Sequence, residues 1–365
     1  MNVLKRLLPA SFKQWLKLRI EHVSLFWAGL LARSAFSASL FYWFSPAFRR
    51  EQHSVLAGRL AYQQQLHQLG KSSALLRRNI HRLEKGLIMQ PRRASFASDY
   101  IMETVVIFER AVQQKSICSA ELKWAADVLN RYFEVVTDTA EIAKARSLFG
   151  QVWQQLSREL TEQVGDATQT GSSSVPYPAS ALPDCPIVFA DLYTLYQRRR
   201  SVRWFTQQQV DPTLIRQAVN AASLAPSACN RQPYRFDLLS RPEDAAKVAD
   251  LAMGTTGFAG QIPSLIAVIG DLSCYPAERD RHVIYIDASL ATMQLMLALE
   301  TLGLSTCPIN WPDIESREKA IAQTLGLEPY QRVVMLLAIG YADPQGGVPF
   351  SQKKTDALLV REVKL

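Results

Sequence analysis

The sequence lacks the paired cysteines and clustered histidines that would indicate a disulfide framework or a metal site. Its five cysteines and five histidines are scattered over 365 residues, without a CxxC pair or an HExxH motif. We therefore expect free thiols in a reducing compartment and no bound metal. Because the sequence also has no P-loop, GxGxxG or Ser-His-Asp pattern, kinases, Rossmann dehydrogenases and serine hydrolases have no candidate site here.

Acidic residues are scarce in the first fifty positions. Eight Lys and Arg residues stand there against Glu21 alone, a net +7 out of the chain's formal +8. The rest of the chain is therefore close to neutral. Since affinity for nucleic acid comes from Lys and Arg clustered over a binding surface, we expect no nucleic-acid partner for the folded body.

Long apolar runs are missing as well, although the N-terminal segment is rich in apolar residues. No 18-residue apolar stretch occurs, so we expect no spanning helix. The spacing over 1–20 predicts an amphipathic helix, and a strongly apolar segment follows over 23–48. Two interpretations stay open: peripheral contact with an anionic membrane, or packing on the body or on a dimer partner. On a membrane, the interfacial aromatics would be Trp15, Trp27, Tyr42 and Trp43.

Composition divides the chain into four segments. A basic apolar arm over 1–50 precedes a predicted helical domain over 51–164, which has few Gly or Pro residues and periodic apolar positions. Residues 165–186 are rich in Thr, Gly and Ser and then Pro, which is typical of a linker. The last segment, 187–365, alternates helix and strand signals.

The stretch His81–Leu87, with the sequence HRLEKGL, is the densest polar cluster of the helical segment. One interpretation is a binding role for these side chains. The other is a set of ion pairs within one helix, with Gly86 as its C-terminal stop.

The last segment predicts a small sheet wrapped by helices. Asp211 is a good N-cap and Pro212 a good first residue for a helix over 211–224. Strands are predicted over 235–240, 264–270 and 333–341, which are short apolar runs bounded by turn residues. A helix over 284–302 is too apolar for a surface, so we expect it in the core or in a dimer interface. The predicted fold class is α+β after an all-α domain.

Two short polar stretches carry the candidate chemistry. Ala225–Phe236 contains a polar turn whose Ser, Asn and Gln side chains offer hydrogen bonds without net charge. Arg198–Arg203 is a cationic cluster suited to a phosphate group. An uncharged polar cradle beside an anion site is what flavin mononucleotide (FMN) requires.

These stretches, together with Gly303–Pro308 and a basic pair near the C terminus, resemble the nitroreductase family of FMN-dependent oxidoreductases. The resemblance covers about residues 190–365. It implies a nitroreductase-like small mixed sheet wrapped by helices. It also implies a homodimer in which the two protomers share each flavin site.

The resemblance further implies which residues bind the cofactor. The phosphate and ribityl chain would be held by Arg199, Ser201 and Arg203, completed by Lys353 and Lys354. From the other protomer, the turn would contribute Pro226, Ser227 and Asn230. One face of the flavin would be lined by Pro308, Ile309 and Asn310, and a backbone N–H at Asn310 would approach flavin N5.

Some positions depart from the family pattern. Asn310 stands where many members carry an acidic residue, and Trp311 replaces a small residue. The indole either narrows the open face of the flavin or packs in the core. Thr256 and Gln261 are weaker candidates for the pyrimidine edge of the ring.

The function implied is transfer of hydride from NADH or NADPH through FMN to a small-molecule acceptor in a ping-pong scheme. No general acid is evident, so water would supply protons. The alternative is a degenerate flavin-binding scaffold that acts as an accessory protein at a membrane. HRLEKGL-type segments suggest a link to bacterial polysaccharide biosynthesis for such a scaffold. We expect a cytoplasmic protein, with contact at the inner face of the membrane as the open alternative.

Overall fold

The computed structural model describes residues 9–43, 45, 47–163 and 173–364. The chain divides into two compact units, 1–54 and 55–365. Predictions for residues 1–8 and for 164–172 of the expected linker lie outside the described residues.

The first unit contains helices α1 (Ala10–Leu31) and α2 (Ala35–Trp43). α1 continues from the predicted amphipathic stretch into the apolar segment that begins at residue 23. α1 runs through that point because no Gly, Pro or capping sequence interrupts it. The break falls at Ser34, whose Oγ accepts a hydrogen bond from the Ser37 N–H at 3.1 Å.

The second unit begins with a helical region that has its own apolar core. Its helices are α3 (Arg49–Gln65), α4 (Ala74–Leu87), α5 (Ile101–Gln114), α6 (Ser119–Val135) and α7 (Ala140–Gln163). Residues such as Leu76, Phe108 and Tyr132 are fully buried in one cluster. The sequence prediction of helices in this part of the chain is confirmed.

The HRLEKGL stretch lies on α4, and Gly86 does not end the helix. The helix continues to Leu87, and Gly86 is required because a Cβ there would overlap the Phe96 ring. His81 Nδ1 lies 3.0 Å from Glu84 Oε2 within the helix, whereas Glu84 Oε1 accepts from Trp124 Nε1 at 2.9 Å. These side chains therefore make one pair within the helix and further contacts to neighbouring elements.

The sheet has four strands in the order β1-β2-β4-β3, all paired antiparallel. They are β1 (Tyr234–Leu239), β2 (Ser264–Asp271), β3 (Ser305–Asn310) and β4 (Gln331–Gly340). Within the described ranges, parallel pairing is confined to an isolated bridge between Ser201 and Thr306. The mixed sheet expected from the resemblance is therefore antiparallel in this chain. β3 was not predicted as a strand because it contains Pro308, which an edge strand tolerates.

Helices cover both faces of the sheet, which confirms the α+β class. The covering helices are α9 (Pro212–Ala222), α10 (Pro242–Ala249), α11 (Val283–Thr301) and α12 (Glu315–Leu325). Two further helices, α8 (Phe189–Arg198) and the short α13 (Asp356–Leu359), bury none of their residues. α9 starts as predicted, since Asp211 Oδ1 accepts from the Thr213 N–H at 2.8 Å. Successive β2 residues are buried in different clusters: Ile266 packs with α11 residues, and Leu265 packs with α10 residues.

Helix α11 lies in the core with one face only. Ala288, Leu295 and Leu299 are buried against the sheet, whereas Ile286 and Leu290 are exposed. In the described part of the chain, residues 278–301 form the one helix long and apolar enough to cross a bilayer by composition. Because this helix packs against β2 and β3, its apolar residues contribute to the protein core.

Candidate functional site

The basic stretch after α8 lies along β3, the edge strand of the sheet. The Val202 N–H donates to the Thr306 carbonyl at 3.0 Å, next to the bridge between Ser201 and Thr306. Arg199 Nε is buried there without a hydrogen-bond partner among the described residues, and so is Thr306 Oγ1. Two of the predicted phosphate-binding residues, Arg199 and Ser201, are thus beside β3.

Arg203 belongs to the same cationic corner. Burial raises the pKa of the Cys307 thiol in β3, and the positive charges of Arg203 and Arg199 oppose that rise. The Arg203 carbonyl accepts from Gln261 Nε2 at 3.1 Å. Gln261, predicted as a weak contact to the pyrimidine edge, therefore holds the backbone of this corner. Thr256, the other weak candidate, is exposed.

The C-terminal segment reaches the same corner. Arg200 Nη2 donates to the Pro349 carbonyl at 3.3 Å and to the Phe350 carbonyl. Lys353 and Lys354 follow a few residues later and are exposed. The structure thus brings the chain just before the predicted basic pair to the basic stretch.

The Ser227–Gln232 turn has an unusual backbone that a buried carboxylate supports. Cys229, Asn230 and Gln232 all have a positive φ, between 51° and 54°, which costs free energy in residues other than glycine. Asp287 Oδ2 of α11 accepts from Ser227 Oγ at 2.8 Å and from the Ala228 N–H at 2.9 Å. Ser227 Oγ in turn accepts from the Gln232 N–H at 2.8 Å.

Asp287 holds a turn of the candidate site and was not predicted from the sequence. The available signal was a lone carboxylate near the start of an otherwise apolar helix. The Ser227 hydroxyl donates to Asp287 and accepts from the Gln232 N–H, so it stabilises the turn. It therefore has less hydrogen-bonding capacity left for a ligand than predicted. Pro226 is exposed beside it, and the Asn230 carbonyl accepts from Arg77 Nε of α4 at 2.8 Å.

The turn and the basic corner lie at opposite ends of α11. The turn is tied to Asp287, whereas Arg198 at the start of the basic stretch pairs with Glu300 at 2.9 Å. Thirteen residues of helix separate these two carboxylates, or about 20 Å at 1.5 Å per residue. The two predicted halves of the flavin site are therefore far apart within one chain.

Glu300 is the second residue missed, and it lies close to the predicted phosphate site. Its side chain is buried, and burial raises the pKa of its carboxyl group, while the positive charge of Arg198 opposes the rise. An acid at the end of an apolar helix, just before Gly303, was the available signal.

Three residues predicted to line one face of the flavin, Pro308, Ile309 and Asn310, lie on β3 beside the basic corner. Ile309 is buried and Asn310 is exposed. Trp311 is buried in the core, and its Nε1 donates to Glu318 of α12. Of the two interpretations of Trp311, core packing is the one that the structure supports.

The donor set at this corner fits a phosphorylated flavin. Arg199, Arg203 and Ser201 offer charged and neutral donors beside an edge strand, with Lys353 and Lys354 on the adjoining segment. The buried Arg199 Nε and Thr306 Oγ1 lack partners among the described residues, as expected of groups that face a ligand.

Known proteins are similar to this part of the chain. The sequence profile of the nitroreductase family matches residues 196–259 and 254–341. An NADH dehydrogenase/NAD(P)H nitroreductase from Archaeoglobus fulgidus is 30% identical over 148 residues, which is 39% of this chain and 80% of that protein. Human iodotyrosine deiodinase 1 is 24% identical over 217 residues, covering 51% of this chain and 74% of the human protein.

Solved structures are similar to the same half of the chain. A nitroreductase family protein from Streptococcus pneumoniae has a TM-score of 0.41 at 24% identity, covering 47% of this chain and all of that one. A further relative found by sequence, the NAD(P)H nitroreductase YdgI from Bacillus subtilis, is 29% identical over 193 residues, which is 43% of this chain and 90% of YdgI. From the profile match and these relatives, the chain belongs to the nitroreductase family of oxidoreductases.

Proposed function

We propose that the protein is an FMN-dependent oxidoreductase that uses NADH or NADPH to reduce a small-molecule acceptor. The observation that carries the proposal is the cationic corner of Arg199, Ser201 and Arg203 along β3, with the C-terminal segment held beside it by Arg200. When bound, FMN supplies the hydride chemistry, accepting hydride from the nicotinamide and passing it to the acceptor.

The side chains of the protein bind and orient the cofactor. Arg199 and Arg203 make charge-assisted hydrogen bonds to the phosphate, and Lys353 and Lys354 complete its neutralisation. Pro308, half-buried on β3, would offer the ring an apolar contact, whereas the Ile309 side chain packs in the core and supports the strand. A backbone N–H at Asn310 would be the donor to the ring, and a donor there would favour the reduced form.

We propose that each flavin site is shared between two protomers. The supporting observation is that the Asp287 turn and the basic corner lie about 20 Å apart along α11. An antiparallel two-fold contact along the exposed apolar face of α11 brings the turn of one protomer to β3 of the other. That face includes Ile286, Leu290 and Met293.

An absorbance spectrum recorded before and after anaerobic addition of NADPH or NADH tests the function. We expect a flavin spectrum that bleaches with at least one of the two nicotinamides. Arg203→Gln should lose flavin on gel filtration, whereas Arg241→Gln, an exposed arginine paired with Asp244, should retain it. Protein that cannot be reconstituted with FMN would refute the proposal.

Subunit mixing tests the shared site. The variant Arg199→Gln/Arg203→Gln damages one half of the site, and Asn230→Ala damages the other. Random reassociation of the two variants should restore about a quarter of the flavin sites, because half of the dimers are mixed and each has one intact site. If both halves lie in one chain, every site stays damaged and no flavin binding returns.

We also propose a cytoplasmic protein whose N-terminal unit contacts the inner face of an anionic membrane. Trp15, Trp27 and Trp43 of α1 and α2 are about half to three-quarters exposed, in a segment with net charge +7. The full chain should float with vesicles containing one-third anionic lipid. Trp27→Gln/Trp43→Gln should reduce flotation, and Trp204→Gln, also exposed, should not. Equal flotation of all three proteins, or none, would contradict membrane contact.

The accessory scaffold has a distinct signature in these experiments. Bound flavin that neither nicotinamide reduces would favour a scaffold over an enzyme. One reason to consider it has weakened, since Trp311 packs in the core and does not narrow the face of β3.

A further inference from the structure

Arg231, in the turn that precedes β1, is a buried cation without a counter-charge. Its side chain is only 8% exposed, and its guanidinium carbon lies 5.0 Å from the centre of the Tyr275 ring. Its Nε has no hydrogen-bond partner, and among the described residues it makes no ion pair. Leaving a buried charge uncompensated is costly, so this arginine calls for an anionic partner.

Arg231 lines two cavities at the junction of the helical region with the sheet. The larger has a volume of about 970 Å³ and the smaller about 200 Å³, and both are also lined by Ser72, Gln232 and Tyr234. The larger volume is in the range of small-molecule sites. The hydroxyl of Tyr234 is buried without a partner among the described residues, so it is a second donor at the same place.

Positive charge predominates around the larger cavity. Arg77 of α4, Arg216 of α9 and Arg235 of β1 also line it, so cations approach from three elements. Two of these arginines have acidic partners, since Arg235 pairs with Asp237 at 2.7 Å and Arg77 pairs with Glu121 at 3.0 Å. Among the described residues, Arg216 and Arg231 are the lining cations without an ion pair. In the smaller cavity, Asp271 accepts from the Ser273 N–H at 2.8 Å and from Gln331.

The rest of the larger cavity is apolar. Ile215 and Val219 of α9 and Ile266 of β2 line one side of it. Cations converging from several elements suit a tetrahedral oxyanion better than a planar carboxylate, because its oxygens point in several directions. The apolar side suits an uncharged body attached to that anion.

We propose that this cavity binds a small molecule that bears a phosphate group, with the phosphate at Arg231 and Tyr234 and an apolar body against α9. Within one protomer the cavity and the basic corner lie at opposite ends of α11, because Asp287 holds the turn at one end and Glu300 pairs with Arg198 at the other. Ser72 lies in the loop before α4 and Arg77 lies on α4, and both precede the family match, so the helical region completes the site.

Arg77 connects this site to the candidate flavin site. It lines the cavity and donates to the Asn230 carbonyl, in the turn proposed to reach the partner's flavin. A ligand at Arg231 therefore acts on the same turn that the flavin contacts.

Thermal unfolding of the full chain in saturating FMN tests the proposal, with sodium phosphate as the probe and chloride holding ionic strength constant. Saturating FMN keeps inorganic phosphate out of the basic corner. We expect the midpoint to rise with phosphate by about 2 °C or more and to level off, as site binding requires. Acetate at the same concentration should raise it less.

Arg231→Met provides the decisive variant. It should abolish the rise with phosphate and should unfold at a higher temperature than the wild type without phosphate, because a buried unpaired charge is removed. The control Arg241→Met, at an exposed arginine, should keep the full rise.

Three results would overturn the proposal. If phosphate still raises the unfolding midpoint of Arg231→Met, phosphate binds elsewhere. If acetate raises the wild-type midpoint as much as phosphate does, the site is not selective for a phosphate group. A lower midpoint for Arg231→Met without phosphate would mean that Arg231 is a structural residue. Because these outcomes depend on phosphate and not on reduction of flavin, they are distinguishable from failure of the proposed enzyme activity.

Discussion

Two arginines are almost equally buried in the sheet-bearing part of the chain, and their surroundings differ. Arg332 of β4 is 5% exposed, and its Nη2 lies 3.3 Å from both Asp313 Oδ2 and Glu318 Oε2. Arg231, at 8% exposed, has the ring of Tyr275 beside it and makes no ion pair among the described residues. The charge of Arg332 is paired within its own chain, and the charge of Arg231 is not paired by any described residue.

The difference in partners distinguishes an arginine that stabilises the fold from an arginine that is available to bind a ligand. At Arg332, the carboxylate of Glu318 also accepts from Trp311 Nε1, so charge and hydrogen bonds form one network at the corner of β3, α12 and β4. At Arg231 the neighbours around the cavities are cations, hydroxyls and apolar groups, and the carboxylates that also line them, Asp237 and Asp271, bind other partners. Burial alone therefore does not identify a structural arginine, whereas its partners do.

Replacing Arg332 should produce the largest effect of the comparison. Arg332→Met leaves the buried Glu318 without its counter-charge, and we expect a loss of about 3–5 kcal/mol in the free energy of unfolding. Guanidinium chloride unfolding measures this loss. The double variant Arg332→Met/Glu318→Gln should recover much of it, because no buried charge is left unpaired. Equal losses for Arg332→Met and Arg231→Met would contradict the distinction between the two sites.

Replacing Asp287 should produce the next largest effect. Asp287→Ala removes the acceptor for Ser227 Oγ and the Ala228 N–H in a turn with three positive φ angles. We expect a loss of about 2–3 kcal/mol and weaker FMN binding. Asp287→Asn keeps an acceptor oxygen and should lose less.

Thr292→Val is a matched control for Asp287→Ala on the same helix. Thr292 is buried on α11, but its hydroxyl donates to the Ala288 carbonyl of its own helix. We expect this variant to leave FMN affinity unchanged, as measured by fluorescence titration. If it weakens FMN binding as much as Asp287→Ala does, Asp287 acts through helix stability and not through the turn.

Local signals predicted most of the fold. Asp211 and Pro212 placed the start of α9, and apolar runs bounded by turn residues placed β2 and β4. β3 escaped because Pro308 argues against a strand unless the edge position is known. Local sequence rules thus identify elements, but not always their place in a sheet.

The residues that complete the candidate sites could not be predicted in this way. Ser227 meets Asp287 across 60 positions, and Arg77 meets Asn230 across 153. Neither pair leaves a spacing rule in the sequence, because each contact exists only once the helices have packed. The family motifs predicted the basic corner, whereas no motif in the sequence predicted the contacts from the helical region.

A smaller effect is expected at Glu300, a buried acid in the same part of the chain as Arg332. Burial raises the pKa of its carboxyl group above its ordinary 4.5 despite the ion pair with Arg198. The folded state then binds this proton more tightly than the unfolded state, so its contribution to stability is full below about pH 4.5 and falls as pH rises through the raised pKa. Glu300→Gln should remove that fall.

The measurement is the unfolding midpoint of Glu300→Gln minus that of the wild type, from pH 4 to pH 7. This difference should increase with pH, since the variant has no carboxyl group to ionise. A difference that decreases with pH would show that Arg198 stabilises the carboxylate more than burial destabilises it. Asp211→Asn, at an exposed cap whose Thr213 hydrogen bond lowers the pKa of the carboxyl below its ordinary 3.8, should show the opposite trend when the series is extended below about pH 4.

The smallest effect is a difference in thiol reactivity that reports on the Arg231 cavities. Cys274 lines the smaller cavity, and burial raises the pKa of its thiol, with Asp271 acting in the same direction and Arg231 opposing. Because the thiolate is the reactive form, Cys274 should react with iodoacetamide at pH 8 at least about tenfold more slowly than the exposed Cys118 and Cys185. Peptide mass spectrometry separates the three rates. Labelling of Cys274 as fast as Cys118 would mean that its thiol is well solvated. If the cavities bind phosphate as proposed, added phosphate should slow Cys274 further in the wild type but not in Arg231→Met.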